Sequence, residues 1–143
     1  MKITNKSFYA LKFMLNLATL PANGRLTVAG LAHKENISEK FLESIVAMLK
    51  SNGIVKSKRG AGGGYLIGNS PSKITIKSII VAVESDSKGF QPPYNEPALH
   101  TDLVLRAMFD EMDESVGRFF ENITLASLVE KMEMLGDNEM FYI

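Results

Sequence analysis

Apolar residues recur along this chain mostly with helical spacing. Phe8, Leu11, Leu15 and Ala18 mark the first amphipathic stripe, widened by Met14 and Leu17, with Thr4 or Ser7 to open the helix and Pro21 and Gly24 to end it. Thr27 caps a shorter segment through Val28, Leu31 and Ala32, and a break at Glu35-Asn36-Ile37 leads to Ser38, a strong N-cap. The helix that follows, 38–51, has the clearest pattern. Leu42, Ile45, Val46 and Leu49 fall at i, i+3, i+4 and i+7, Glu39 complements the positive helix N-terminus, and Asn52-Gly53 supplies a left-handed stop. Turned away from that stripe are Lys40, Glu43, Ser44, Ala47 and Lys50.

The period then changes. Ile54 and Val55 start a short strand, Tyr65, Leu66 and Ile67 form its partner, and the segment between them is basic and filled with glycine, which permits positive backbone dihedrals and close approach to another molecule. Lys56, Lys58 and Arg59 bring three positive charges there, with no carboxylate from Ser44 to Val83. That suits a phosphate backbone or a minor groove. A nucleotide cradle fits worse: counting from Gly60, a dinucleotide fingerprint needs glycine or alanine where Tyr65 stands, and no glycine precedes a lysine followed by a hydroxyl residue. Two short helices joined by a tight turn and followed by a hairpin make a winged helix-turn-helix, whose second helix lies in a major groove. The plainer alternatives are a flexible turn and an ordinary solvated helix face.

Beyond Pro71, Thr75 caps a helix with Ile76, Ile79, Ile80 and Val83 in register, and the breaker-rich stretch 85–97 reads as a connecting loop. A long helix over about 98–121 then carries Leu105, Phe109, Met112, Val116 and Phe119, with Ile123 continuing the alternation of four and three. Such a seam predicts a partner helix, most simply from a second copy, although one subunit could also bury it internally. Thr124 caps a last helix with Leu125, Leu128, Val129 and Met132 at core spacing, ending at Gly136 before the apolar tip Phe141-Tyr142-Ile143. The expected fold is mainly α with a small β wing: a winged helix-turn-helix domain over 1–84, a connecting loop over 85–97 and a helical dimerisation region over 98–143.

Composition narrows the functional classes. The 143 residues are 45% apolar and contain no cysteine, which excludes disulfides, thiolate metal sites and a cysteine nucleophile. No apolar run is long enough to cross a membrane, and no export segment opens the chain, so a cytoplasmic location is expected. Net charge is zero, but residues 1–68 hold ten Lys or Arg against three Glu, and 69–143 hold six against thirteen. The front half is therefore +7 and the rear half −7. With His33 and His100 far apart and no phosphate motif, no catalytic set is recognisable. The acidic pairs Asp110-Glu111 and Asp113-Glu114 read as the solvated side of the long helix rather than a metal site.

Taken with the opening Ile3-Thr4-Asn5-Lys6 and Tyr9-Ala10-Leu11, the segment Ile37-Ser38-Glu39-Lys40-Phe41-Leu42-Glu43, the wing Arg59-Gly60-Ala61-Gly62-Gly63-Gly64-Tyr65, and Ile74-Thr75-Ile76 leading to Ala82-Val83-Glu84, the chain resembles the Rrf-two family of small bacterial transcription regulators over nearly its whole length. The resemblance implies a homodimer with a long crossing helix on pseudo-palindromic double-stranded operator DNA, and places Arg59 near the minor groove. Expected DNA contacts are Lys6, Tyr9, Ser38, Lys40, Glu43, Ser44, Lys58, Arg59, Gly60, Gly62 and Tyr65. Several members hold an iron–sulfur cluster on three cysteines before the long helix; this chain has none, so it resembles the cluster-free branch and no cofactor is expected. Such members answer to a partner protein or an unidentified ligand, for which Phe90, Pro92, Pro93 and Tyr94 are the expected pocket. The resulting expectation is a dimeric repressor and not an enzyme, with a winged-helix adaptor for protein–protein contacts as the alternative.

Overall fold

The computed structural model describes residues 1–21, 24–60, 63–85 and 90–140, with side chains described as far as residue 136. Helix α1 (Asn5–Ala18) is capped by Thr4, whose hydroxyl oxygen accepts from the Lys6 N–H at 3.2 Å. Helix α2 (Val28–Glu35) opens on Thr27 and closes on Asn36, which adopts a left-handed φ of 53°. Helix α3 (Glu39–Ser51) opens where Ser38 Oγ accepts from the Phe41 N–H at 3.2 Å, and the chain turns out of it at Gly53 with φ 74°. Each cap satisfies backbone donors or acceptors that the helix itself leaves open.

Strands β1 (Val55–Lys58) and β2 (Gly64–Ile67) pair antiparallel, with Val55 opposite Ile67 and Lys58 opposite Gly64. Leu26 exchanges two backbone hydrogen bonds with Tyr65, at 3.2 and 3.0 Å, which ties the hairpin base to the segment before α2. Beyond a short 3-10 turn at Pro71–Lys73, α4 (Ile76–Glu84) is capped by Thr75 and buries Ile76, Ile79, Ile80, Ala82 and Val83. The long helix α5 (His100–Glu121) and the last helix α6 (Leu125–Met140) complete the described chain.

The core gathers Phe13 and Met14 of α1, Leu42, Ile45 and Leu49 of α3, Ile79 and Ile80 of α4, and Leu125 of α6, all under 2% exposed. Leu125 is buried where α5 hands over to α6. Its N–H donates to Ile74 O at 2.8 Å, the Ile76 N–H donates to Ile123 O at 2.9 Å, and Lys77 Nζ lies 3.6 Å from a Glu121 carboxylate oxygen. The end of α5 and the start of α6 are therefore tied to the winged domain. A second tie joins α4 to the front of α1: Glu84, 6% exposed, accepts through Oε1 from the Thr4 N–H at 2.9 Å, from Ser7 Oγ at 2.7 Å and from the Thr4 hydroxyl.

Helix α5 has two faces that differ in burial. Phe109, Val116 and Phe120 are half-buried and Gly117 is buried against their own chain, whereas Val104, Leu105, Met108, Met112 and Phe119 are exposed. The expected seam is thus divided. Leu105, Met112 and Phe119 lie on the open stripe, joined by Val104 and Met108; Phe109 and Val116 face the same subunit, and Ile123 packs against the core beyond the helix end.

Candidate nucleic-acid interface

Helix α3 buries Leu42, Ile45, Val46 and Leu49, which fixes what it presents outward: Lys40, Glu43, Ser44, Ala47 and Lys50 are all exposed. Ser44 Oγ donates to Phe41 O at 2.6 Å, so the hydroxyl oxygen faces outward as an acceptor. Glu43 beside it accepts too. Two neighbouring acceptors suit the amino groups that cytosine and adenine show in the major groove. Ser38 is exposed but its oxygen is engaged as the cap of α3.

After buried Val55, both faces of β1 meet solvent, and Lys56, Ser57, Lys58, Arg59 and Gly60 are exposed. Gly60 has φ 103°, and its carbonyl accepts from the Gly63 N–H at 2.8 Å, closing the turn. Among the described residues, Lys40, Lys56, Lys58 and Arg59 form no ion pair, so their charges are available to a polyanion. Gly62 lies outside the described residues.

Two expected contacts serve packing as well. Tyr9 is half-buried on α1 with its ring edge-on to Phe41 at 6.0 Å, which brings Lys6 and Tyr9 beside the start of α3. Tyr65 is half-buried edge-on to Phe13, with ring centres 6.0 Å apart, so its ring packs against the core. Lys6 is half-exposed.

At the rear of the domain, a cavity of about 400 Å3 opens between α4 and α5, bordered by Ile80, Val81, Glu84, Phe90 and Asp113. Of the four residues expected to line a pocket, Phe90 alone borders it. Tyr94 instead lies under the Arg106 guanidinium, 4.7 Å from its ring centre, and Pro92 and Pro93 lie outside the lining. Sequence reasoning missed Asp102: its Oδ2 accepts from the Leu99 N–H at 2.9 Å and from Asn95 Nδ2 at 3.2 Å. An acidic residue three places into a helix was the signal available for it.

Residues 3–131 match the family described as Rrf2, an iron-dependent transcriptional regulator. The HTH-type transcriptional regulator IscR of Yersinia enterocolitica is 33% identical over 136 residues, spanning 94% of this chain and 83% of that protein, and IscR of Serratia proteamaculans gives the same figures. Among solved structures, CymR, the global cysteine regulator of B. subtilis, is 32% identical with a TM-score of 0.74, covering 92% of this chain and 98% of that one. IscR of T. potens is 27% identical with a TM-score of 0.75, covering 94% and 90%. The residues present do not fit an iron–sulfur group: the chain has no cysteine thiolate to hold cluster iron, and among the described residues no three His, Cys, Asp or Glu side chains gather closely enough for a metal ion. His33 and His100 are both exposed, on α2 and α5. The described residues include no helix long and apolar enough to cross a membrane. Family members are transcription regulators rather than enzymes, and the DNA-binding winged helix sets aside the adaptor alternative. With its recognition helix, its basic wing and its match over most of the sequence, the chain belongs to the Rrf2 family of DNA-binding transcription regulators.

Proposed function

We propose that the protein is a cytoplasmic homodimeric repressor that binds a pseudo-palindromic operator. The observation that carries the dimer is the open stripe of α5, where Val104 is 70% and Phe119 62% exposed in the single chain. A stripe repeating at helical spacing along one face is self-complementary under a twofold axis, and a second copy of α5 supplies the missing cover. Each subunit then contributes one α3 to a major groove and one wing beside it. Lys40 and Lys58 act on phosphates, Glu43 and Ser44 accept from base amino groups, and Arg59 enters the minor groove. Two domains on adjacent half-sites exclude other proteins from the same stretch of promoter, which favours repression, with no catalytic step.

Selection of bound fragments from genomic DNA by the purified protein tests this reading. The recovered sites should share two inverted half-sites whose centres lie about 10 base pairs or a multiple of that apart. Single, unrepeated sites would reject the dimeric mode of binding.

A further inference from the structure

Of the side chains that α3 turns outward, the donors Lys40 and Lys50 stand towards the two ends, and Glu43, Ser44 and Ala47 occupy the middle. That middle has no hydrogen to offer. A carboxylate only accepts, the Ala47 methyl does neither, and the single hydroxyl hydrogen of Ser44 is engaged by Phe41 O at 2.6 Å. Glu43 forms no ion pair among the described residues. Phosphates repel such a carboxylate, so on a DNA-binding face it favours a site only where a base donates to it, and it rejects the others. In the major groove those donors are the amino groups at N4 of cytosine and N6 of adenine, whereas guanine and thymine show acceptors there.

Each of these amino groups keeps one hydrogen inside the base pair and points the other into the groove. A methyl group on the nitrogen of a paired base takes the groove-facing place. N6-methyladenine and N4-methylcytosine therefore present a methyl where Glu43 or Ser44 needs a donor, and the acceptor is left buried and unpaired. A reader with a donor of its own keeps a second contact, to N7 of a purine, that such methylation leaves intact. The middle of α3 has no such second contact.

We propose that α3 makes operator binding sensitive to methylation of base amino groups: the unmodified site is bound, and the same sequence methylated at the nitrogen facing Glu43 or Ser44 is not. The inference rests on the reading of these two residues as base contacts. DNA methylated at those positions escapes the protein without any change in the protein itself.

The test uses synthetic duplexes of a selected operator in which each adenine or cytosine of one half-site is replaced in turn by its N6- or N4-methyl form. 5-Methylcytosine, which keeps both amino hydrogens, is the control. Affinities are measured for the unmutated protein, Glu43→Ala and Ser44→Ala; both side chains are exposed, so neither variant disturbs the core. For the unmutated protein, binding should fall about tenfold at one or more amino-methylated positions, and less than about threefold for 5-methylcytosine at the same place. In the variant lacking the matching acceptor the difference should shrink to within about twofold. Amino-methylated duplexes bound as tightly as unmodified ones at every position overturn the inference, as does an equal loss from 5-methylcytosine or a loss that persists in both variants. The base-contact reading fails by a separate result, in which both variants keep the unmutated protein's preferences on unmethylated operators with single base changes. A selected site without inverted repeats overturns the dimeric reading alone, because the methylated series reads one half-site.

Discussion

At the scale of single residues, glycine does opposite work at two positions. A Cβ on Gly68 would lie 2.3 Å from Gly53 O and 2.8 Å from Ile54 O, backbone atoms held by the Gly68 N–H bond to Ile54 O. Gly117 is helical, and a Cβ there would meet only the flexible end of Lys77 at 3.8 Å, an ordinary contact. Gly68→Ala should therefore destabilise by about 1–3 kcal/mol through overpacking. Gly117→Ala should stabilise by roughly 0.5–1 kcal/mol, because alanine loses less conformational freedom in a helix. Urea denaturation of both variants checks this; equal effects of the same sign would contradict the packing described. Sequence alone marked glycines generally as turn formers, but the constraint on Gly68 comes from a neighbouring strand end and has no local signature.

At the scale of elements, Thr27, Ser38, Thr75 and Thr124 cap their helices as expected, and of the two starts open for α1 the structure uses Thr4, since Ser7 is buried and donates to Glu84. Each cap accepts from a backbone N–H in the first turn. Helix α5 was legible in extent but not in its division of faces. Apolar residues at alternating steps of three and four mark a helix that buries something, and one-dimensional spacing merges two adjacent stripes into one seam. Which neighbour covers which stripe depends on where α4, the connector and α6 return. Met112 and Phe119 are 47% and 62% exposed in the single chain, so replacing both by Asp should leave the fold intact and abolish dimers, because unpaired charge in a buried seam costs several kcal/mol. Val116→Asp, on the inward face, should instead lower thermal stability. Sedimentation with circular dichroism distinguishes the two, and a Met112/Phe119 double variant that remains dimeric removes the stripe from the interface.

For the whole molecule, the charge division has a measurable consequence. Residues 1–68 carry ten basic and three acidic residues, and the exposed bases of α3 and the wing have no ion-pair partners among the described residues. Binding to a selected operator should weaken steeply with salt, by roughly a thousandfold between about 50 and 200 mM if about six phosphates are contacted, because each contact releases counterions. Arg59→Ala should reduce the slope and weaken binding most where the flanks are rich in A·T pairs, whereas Glu43→Ala should relax base preference at smaller cost in affinity. An affinity indifferent to salt would sink the phosphate-contact account.

The last helix, expected to end at Gly136, runs on to Met140. What depends on neighbours along the chain could otherwise be read from residue order: most helix starts, the outward residues of α3, the basic hairpin and the lack of thiolates. These are local matters of capping, periodicity and residue type. What depends on distant segments meeting came from the fold. It anchored Tyr65 on Phe13, joined Glu84 to Thr4 and Ser7, drew Leu125 into the winged core, and split the α5 seam between its own subunit and the open face. Burial is a property of what lies opposite a side chain, and that partner is set by the path of the whole chain rather than by spacing within one helix.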